Sequence, residues 1–570
     1  MAAPNPSNSL EAQTANSIQF ASQLGQSFVF GVLALGVALA ALCNLGFVLG
    51  FPISPFQLPL GLALCLAALY WRCRNIIAPQ SPLKLALAAF GLILALLAVG
   101  MFLAGQYYDM SYDGQCYHQS AILSLANGWN PLWEPYLPWH GYPVQNYPKV
   151  SWYLAASVQG LMGSVELGKT FNYLFPAAVG VALFQFLGRL GHAPRSVRLL
   201  VSIVGAATPT VLCQLNTFYL DGILVSLLTL TLIFSLEYYL FADKTRLFPM
   251  FMAALLLINY KYTGLVYLGV FQIAFWLALV WKKHTLHWAY FRYCAAGALL
   301  GALVLGFNPY VLNTVYFGSP VHPMPGENVA RFQAPQEFIA KNRVSKLAWS
   351  LFARSSANMK SMPVIKVPFT VSAYEFEHLG TASVRYGGLG PWFGGVLLLL
   401  PLAVFLAWRG ARPWAKAGLL LCGLILASAL TIPETWFSRF VPQIWLLPVI
   451  WVVVLGWGVR EKGRKAARTL AVAICLLLLV DQAIVLASNW AWWSDTNQVF
   501  ARQAAQLKKA EQQNKVLVKG GWIAVKNRLE SVGLDFEWVK EVNCPEPQRI
   551  AGTHSTHWYC LEPKTDGAKP

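Results

Sequence analysis

Long apolar runs separated by short polar connections fill the chain to about residue 487. Runs such as Phe28 to Leu49 and Leu85 to Leu103 are each sufficient to cross a hydrocarbon layer of ~30 Å. Thirteen spans are predicted, near 28–50, 56–72, 84–105, 170–188, 199–215, 222–241, 247–259, 263–281, 294–308, 390–408, 416–432, 443–458 and 469–487. The segments 199–215 and 247–259 fall short of the ~20 residues of a straight crossing, so they are expected to borrow flanking residues, tilt or break near the surface. From about residue 488 the pattern changes. A helix-like stretch from Asp495 to Gln513 precedes Val516-Leu517-Val518, and a second from Val525 to Val532 ends at Gly533; strand-like Phe536 to Val542 and Trp558 to Leu561 follow. The expected fold class is an all-α polytopic membrane protein of about thirteen transmembrane helices with a small C-terminal α/β domain. Residues 1–24 form a tail, 25–487 the membrane module with large loops 106–169 and 309–389, and 488–570 the domain.

Composition excludes an ordinary soluble protein: of 570 residues 56% are hydrophobic and 12% charged, against roughly 25% charged in soluble domains. The net charge of +18 would raise nucleic-acid binding in a soluble chain. Here its distribution gives it another meaning. Arg72/Arg74/Lys84, Arg189/Arg195/Arg198, Lys244/Arg246, Lys282/Lys283/Arg292, Arg409/Arg412/Lys416 and Arg460/Lys462/Arg464/Lys465/Arg468 occupy every second connection. That bias orients the chain with its amino terminus in the cytoplasm and, after thirteen crossings, its C-terminal domain outside with both large loops. The cytoplasmic segments hold 19 bases and 3 acids, the outer segments 23 bases and 19 acids. The excess is thus an orientation signal, and no nucleic-acid partner is expected. Residues 1–24 lack the basic region and cleavage site of a signal peptide and are read as an uncleaved cytoplasmic tail. The ten cysteines form no CxxC pair and no zinc-spaced cluster. Cys116, Cys544 and Cys560 fall outside the predicted helices. The last two are a disulfide candidate in an oxidising outer compartment, with two free thiols as the alternative.

Candidate chemistry gathers on the outer side. The first large loop opens with Asp109-Met-Ser-Tyr-Asp113-Gly-Gln-Cys-Tyr117-His118, two carboxylates just beyond a span. A partly desolvated carboxylate there can act as a general base or a metal ligand, or simply make a turn before Gly. The loop continues through Trp133, Tyr136, Trp139, His140 and Tyr142, aromatic residues that either anchor at the interface or stack on a sugar. Asn146-Tyr147-Pro148-Lys149 then leads into a stretch expected to return along the membrane surface. Asp221 opens the sixth span, either as a functional acid or as a favourable helix N-terminal charge. Lys261, after Tyr260, is a base in an outer connection and suits a lipid phosphate at headgroup depth, against ordinary snorkelling. Arg331, Lys341, Arg343 and Lys346 in the second loop could face an anion, with a solvated surface as the default. Glu434 and Arg439 share a short outer connection, where Arg suits phosphate and a mutual ion pair is the competing reading.

Together these residues resemble a family, the GT-C type glycosyltransferases, integral membrane enzymes that use polyprenyl-phosphate-linked sugars. The resemblance rests on the architecture and on Tyr112-Asp113-Gly-Gln-Cys-Tyr117-His118, Asn146-Tyr147-Pro148-Lys149, Tyr219-Leu-Asp221, Lys261-Tyr-Thr-Gly264, Asn308-Pro-Tyr310 with Gly318-Ser-Pro320, and Ser438-Arg439-Phe440. It spans most of residues 84–460. What it implies is one-step displacement with inversion at the outer face of a bacterial inner membrane. Asp113, with Asp109 as alternative or partner, would take the proton of an acceptor hydroxyl, and Lys261 and Arg439 would stabilise the leaving phosphate. Tyr117, His118, Lys149 and Asp221 would orient sugar or acceptor, with Tyr260 and Glu434 further candidate binding residues. The spacing of four between the two acids leaves open which is the base and whether a divalent metal is needed; no other cofactor is implied. The acceptor is open between an exported protein such as pilin, lipid A and a growing glycan. Some members transfer a pentofuranose such as arabinofuranose to pilin, which the resemblance permits here. A transporter or flippase of a lipid-linked or anionic substrate is the rival class, with Asp481 inside the last span as the feature that suits it best. A glycan polymerase or ligase would need a pyrophosphate-linked donor.

Overall fold

The computed structural model describes residues 6–77, 81–136, 141–191, 193–324, 334–459, 463–553 and 557–564, with side chains from residue 17 onward. Trp139, His140, Arg331, Arg460 and Lys462, named above, lie outside the described residues. Each of the thirteen apolar segments is helical. Among the described residues ten helices are long and apolar enough to cross a membrane, from Ser17–Val48 to Arg464–Ala510. The remaining three segments are shorter or broken. Leu247–Tyr260 has 14 residues, and Pro442–Gly458 is also short. The segment near 199–215 divides into Arg195–Ala206 and Pro209–Gln214. The break has a local cause: Thr208 caps the second piece by accepting from the Val211 amide, and Pro209 occupies its first position, where a missing N–H costs nothing.

Asp221–Phe241 is buried along nearly its whole length, as expected of a helix apolar on every face, and forms the centre of the bundle. At the end of this helix away from Asp221, Arg189 pairs with Glu237 at 2.8 Å and Asp243 at 2.7 Å, and Arg246 pairs with the same two acids at 3.0 and 3.2 Å. These ion pairs join connections whose basic residues the sequence assigns to one side. The stretch after Lys149 departs from expectation. Val150–Met162 is buried through Val158 and packs into the bundle, where Tyr153 meets Phe47 with ring centres 5.3 Å apart. Its mostly apolar residues are covered on every side rather than on one membrane-facing stripe.

The helix of the last span does not end near 487. Arg464–Ala510 is one helix of 47 residues, carried past the membrane by strong helix formers such as Ala504, Ala505, Gln506 and Leu507. The chain then forms β1 (Asn514–Lys519), a helix (Ile523–Ser531), β2 (Glu537–Val539), β3 (Gln548–Arg549) and β4 (Trp558–Pro563) in a sheet of order β2-β1-β4-β3. β1 runs parallel to β2 and antiparallel to β4. Val516 and Val518 of β1 are buried with Phe500 and Leu507 of the long helix. Cys544 and Cys560 are joined in a disulfide, whereas Cys116 lies in a helical turn, Gly114–His118, and is buried. A crosslink closing a loop of this size contributes about 3 kcal/mol. The double variant Cys544→Ser/Cys560→Ser is therefore expected to make residues 514–564 cleavable by protease under conditions that spare the wild type, with the membrane helices unaffected.

Candidate functional site

Asp113, Asp221, Lys261 and Arg439 come from four distant parts of the chain and meet beside a cavity of about 740 Å³. Asp113 precedes the Gly114–His118 turn, and Asp221 is the first residue of its helix, where the helix dipole favours a negative charge. Lys261 sits in extended backbone at the break between Leu247–Tyr260 and Tyr262–Lys283. That break is tight, because a Cβ on Gly264 would lie 2.4 Å from the Leu257 carbonyl oxygen. Arg439 occupies the short turn Ser438–Phe440.

Arg439 Nη1 donates to Asp113 Oδ2 at 2.9 Å and lies 3.9 Å from Asp221 Oδ2. Lys261 Nζ makes a short hydrogen bond to Asp221 Oδ1, and Gln214 Nε2 reaches Asp221 Oδ2 at 3.2 Å. The guanidinium of Arg439 lies over the Tyr219 and Phe437 rings at 4.6 and 4.7 Å, and Lys261 faces the Phe440 ring at 5.0 Å. Burial acts to raise the pKa of Asp113, but Arg439 foremost, with Lys261 farther off, outweighs it and holds the carboxyl below its ordinary value. Burial would weaken the Arg439 cation, yet Asp113, Tyr219 and Asp221 lift its pKa above the usual range. Burial pushes His118 down to about 3. Its Nδ1 accepts from Trp152 Nε1 at 2.8 Å, so the neutral ring carries its proton on Nε2 and offers a donor.

Tyr117, His118, Tyr260, Lys261, Glu434 and Arg439 all line the cavity with the two acids. Asp109 and Lys149 do not. Asp109 is buried behind the site: Oδ1 accepts from the Ser111 amide at 2.8 Å and Oδ2 from the Phe218 amide at 2.7 Å, which staples the segment before Asp113 to the one before Asp221. Burial raises its pKa to about 6 against the opposing charge of Lys169. Lys149 donates to Asn308 Oδ1 at 2.7 Å and to the carbonyls of Gln145 and Tyr147, a strut between loops. Glu434 and Arg439 do not pair with each other. Glu434 binds Lys346 at 3.2 Å and the Trp436 indole, while Arg439 turns to Asp113. Lys341, Arg343 and Lys346, for which solvent was the default surrounding, line the cavity instead. Arg385 is a residue that sequence reasoning missed. It lies 4.7 Å over the Phe437 ring, and its pKa is drawn down to about 10 by burial and by Arg439. Its only sequence signal was a base just before the Gly387-Gly-Leu-Gly390 run. Among the described residues no three His, Cys, Asp or Glu side chains gather in the manner of a metal site.

Asp481 belongs to another structural feature. Its Oδ1 accepts from the Trp392 amide at 2.7 Å, and its carboxyl lies against Gly390, where φ is +100° and a Cβ would fall 2.0 Å from Oδ2. The acid thus closes the turn into the span Phe393–Gly410 and meets no cavity described here.

Fold and site together define a multi-pass helical membrane protein with a charged cavity at one end of its bundle. No protein-family model matches the sequence, and no curated protein matches it. Among solved structures the chain is similar to the crystal structure of ArnT from Cupriavidus metallidurans bound to undecaprenyl phosphate. The match has a TM-score of 0.42 and 15% identity, and covers 79% of this chain and 86% of that one.

The two neighbouring acids are expected to separate in a thermal-unfolding measurement. Asp109→Ala leaves two buried amides without their acceptor, a loss of about 1–3 kcal/mol for each unsatisfied group, and should lower the melting temperature clearly. Asp113→Asn keeps its shape and an oxygen for Arg439, whose charge Asp221 still faces at 3.9 Å, so it should shift the melting temperature less.

Proposed function

We propose that the protein is an inverting glycosyltransferase that moves a sugar from a polyprenyl-phosphate donor to a hydroxyl acceptor, at the outer face of a bacterial inner membrane. The observation that carries this reading is the charged quartet, in which Asp113 and Asp221 share one cavity with Arg439 and Lys261. A carboxylate held ionised beside a large cavity is placed to accept a hydroxyl proton, and two cations next to it suit a phosphate leaving group. As the acceptor oxygen bonds to the anomeric carbon, the bond from that carbon to the phosphate oxygen breaks. The proton passes to Asp113 and the charge to the phosphate. Paired with Arg439, Asp113 is a weak base. A donor phosphate that shares Arg439 and Lys261 relieves that pairing, so the base strengthens once donor is bound. His118 Nε2 and the Tyr117 and Tyr147 rings on the cavity wall suit the hydroxyls and faces of a sugar.

A second cavity supports a lipid-linked donor. It measures about 930 Å³, is lined almost wholly by apolar side chains, and runs beside Thr229 to Leu240, Ala274 to Ala278 and Ala417 to Ala427. These stretches belong to the helices whose other ends carry Asp221, Lys261 and Ile432 at the charged cavity. A prenyl chain is an apolar occupant of suitable form. One observation favours a second reading, a polymerase or ligase with a diphosphate-linked donor: Lys341, Arg343 and Lys346 add three bases to the charged cavity wall. Asp481 gives a transporter no support, since its carboxyl serves the Trp392 turn.

The test is transfer by purified protein from a panel of polyprenyl-phosphate and polyprenyl-diphosphate sugars to pilin, lipid A and glycan acceptors. Asp113→Asn should lower the rate ~10²–10⁴-fold, the usual contribution of a positioned base; unchanged transfer removes Asp113 from that role. The sign of the pH effect follows from the depressed pKa: Asp113 stays ionised as pH falls until its low pKa is reached, so kcat/KM holds into acid. Arg439→Gln removes the main opposing charge, and the acid limb should move up by ~1–3 pH units. Flux of the lipid-linked substrate across proteoliposomes without sugar transfer would support the transporter.

A further inference from the structure

The C-terminal domain does not complete its own apolar core. Met110 and Cys116 are buried in one cluster with Phe500, Leu507, Val518, Trp522 and Leu529 of the long helix and the domain. They bracket Asp113 by three residues on either side. Polar contacts follow the same path. Asn497 Oδ1 accepts from the Tyr108 amide at 2.8 Å, and its side-chain amide faces the Tyr108 carbonyl at 3.4 Å. Gln115 Nε2 donates to the Gly552 carbonyl at 2.9 Å, and the Tyr108 hydroxyl lies 3.1 Å from Ser531 Oγ. The Tyr112 ring meets Trp522 edge-on at 5.4 Å. Gly552 has φ of +69°, and a Cβ there would lie 2.5 Å from Met110 Sδ, so the loop and the domain approach as closely as a glycine allows.

We propose that the C-terminal sheet domain and the long helix that enters it position Asp113, with Asn497 of that helix as a positioning residue that grips the backbone of Tyr108 from both sides. The inference rests on Asp113 being the general base. From the bundle side Asp109 ties the same segment to Phe218, and from the domain side Asn497, Met110 and Cys116 tie it to the long helix and sheet. Between these anchors Asp113 has no free loop to move on. Misplacement of a reacting group by about 1 Å costs ~10²-fold in rate, so loss of the outer anchor acts on turnover while the donor cavity keeps its lining.

The test compares full-length wild type, Asn497→Leu and Asn497→Asp by hydrogen exchange and by transfer kinetics. Asn497→Leu loses both contacts, whereas Asn497→Asp keeps the acceptor for the Tyr108 amide. For Asn497→Leu the amides of residues 108–118 should exchange at least about tenfold faster, with those of Asp221–Phe241 unchanged. Its kcat should fall about tenfold or more with donor KM within about twofold; Asn497→Asp should be intermediate in both. Unchanged exchange at 108–118 overturns the proposal, as does faster exchange with unchanged kcat. If Asn497→Leu fails to fold, Asn497→Asp alone decides by the same two readings. If the wild type transfers no sugar, the glycosyltransferase reading falls and the exchange result still decides whether the domain holds this loop.

Discussion

Two carboxylates line one cavity, and Asp113, buried there, stays ionised because the Arg439 cation is in contact with it. An isolated carboxylate moved out of water takes up a proton in preference to paying the desolvation cost. Arg439 bridges the difference by touching Asp113 and standing 3.9 Å from Asp221, while Lys261 holds the far oxygen of Asp221. Each cation must be brought in by a break in regular structure. Lys261 needs the gap between two helices, Arg439 needs a single turn between two spans, and Asp113 needs a loop that folds back over the bundle end. The irregular features at this end of the molecule serve that one electrostatic requirement.

The supporting layer obeys the same logic at one remove. Asp109 and Lys149 are as buried as Asp221 and more deeply than Asp113, Lys261 and Arg439, and their hydrogen bonds go to backbone amides, carbonyls and an asparagine. A buried polar group with every partner inside the protein has little left to offer a ligand. For Asp221, which is as buried as the struts, it is the partners and not the burial that mark a site residue.

The spans were legible in the sequence because a hydrocarbon layer demands long apolar runs, and Lys261 stood out because it broke the charge bias. The small sheet was foreshadowed by Val516-Leu517-Val518 and by the residues around Trp558. The pairings were not legible. Glu434 and Arg439 are five apart and looked like partners, yet the turn between them sends one to Lys346 and the other to Asp113, 326 residues away. Asp109 stood as alternative or partner to Asp113 because composition does not reveal which carboxylate finds backbone donors. Arg385 had only its place before the Gly387-Gly-Leu-Gly390 run to mark it, since its position follows from the packing of Phe437. No helix end falls near residue 488, because polarity changes there but helix propensity does not.

That continuous helix has a mechanical consequence. At 1.5 Å per residue, 47 residues make a rod about 70 Å long, roughly twice the thickness of the hydrocarbon layer. Its lower part is set by the bilayer and its upper part is packed into the sheet. A tilt of about 5° in the membrane would carry the far tip sideways by roughly 6 Å over this length. The membrane bundle and the C-terminal sheet are therefore joined by one continuous helix with no flexible linker between them.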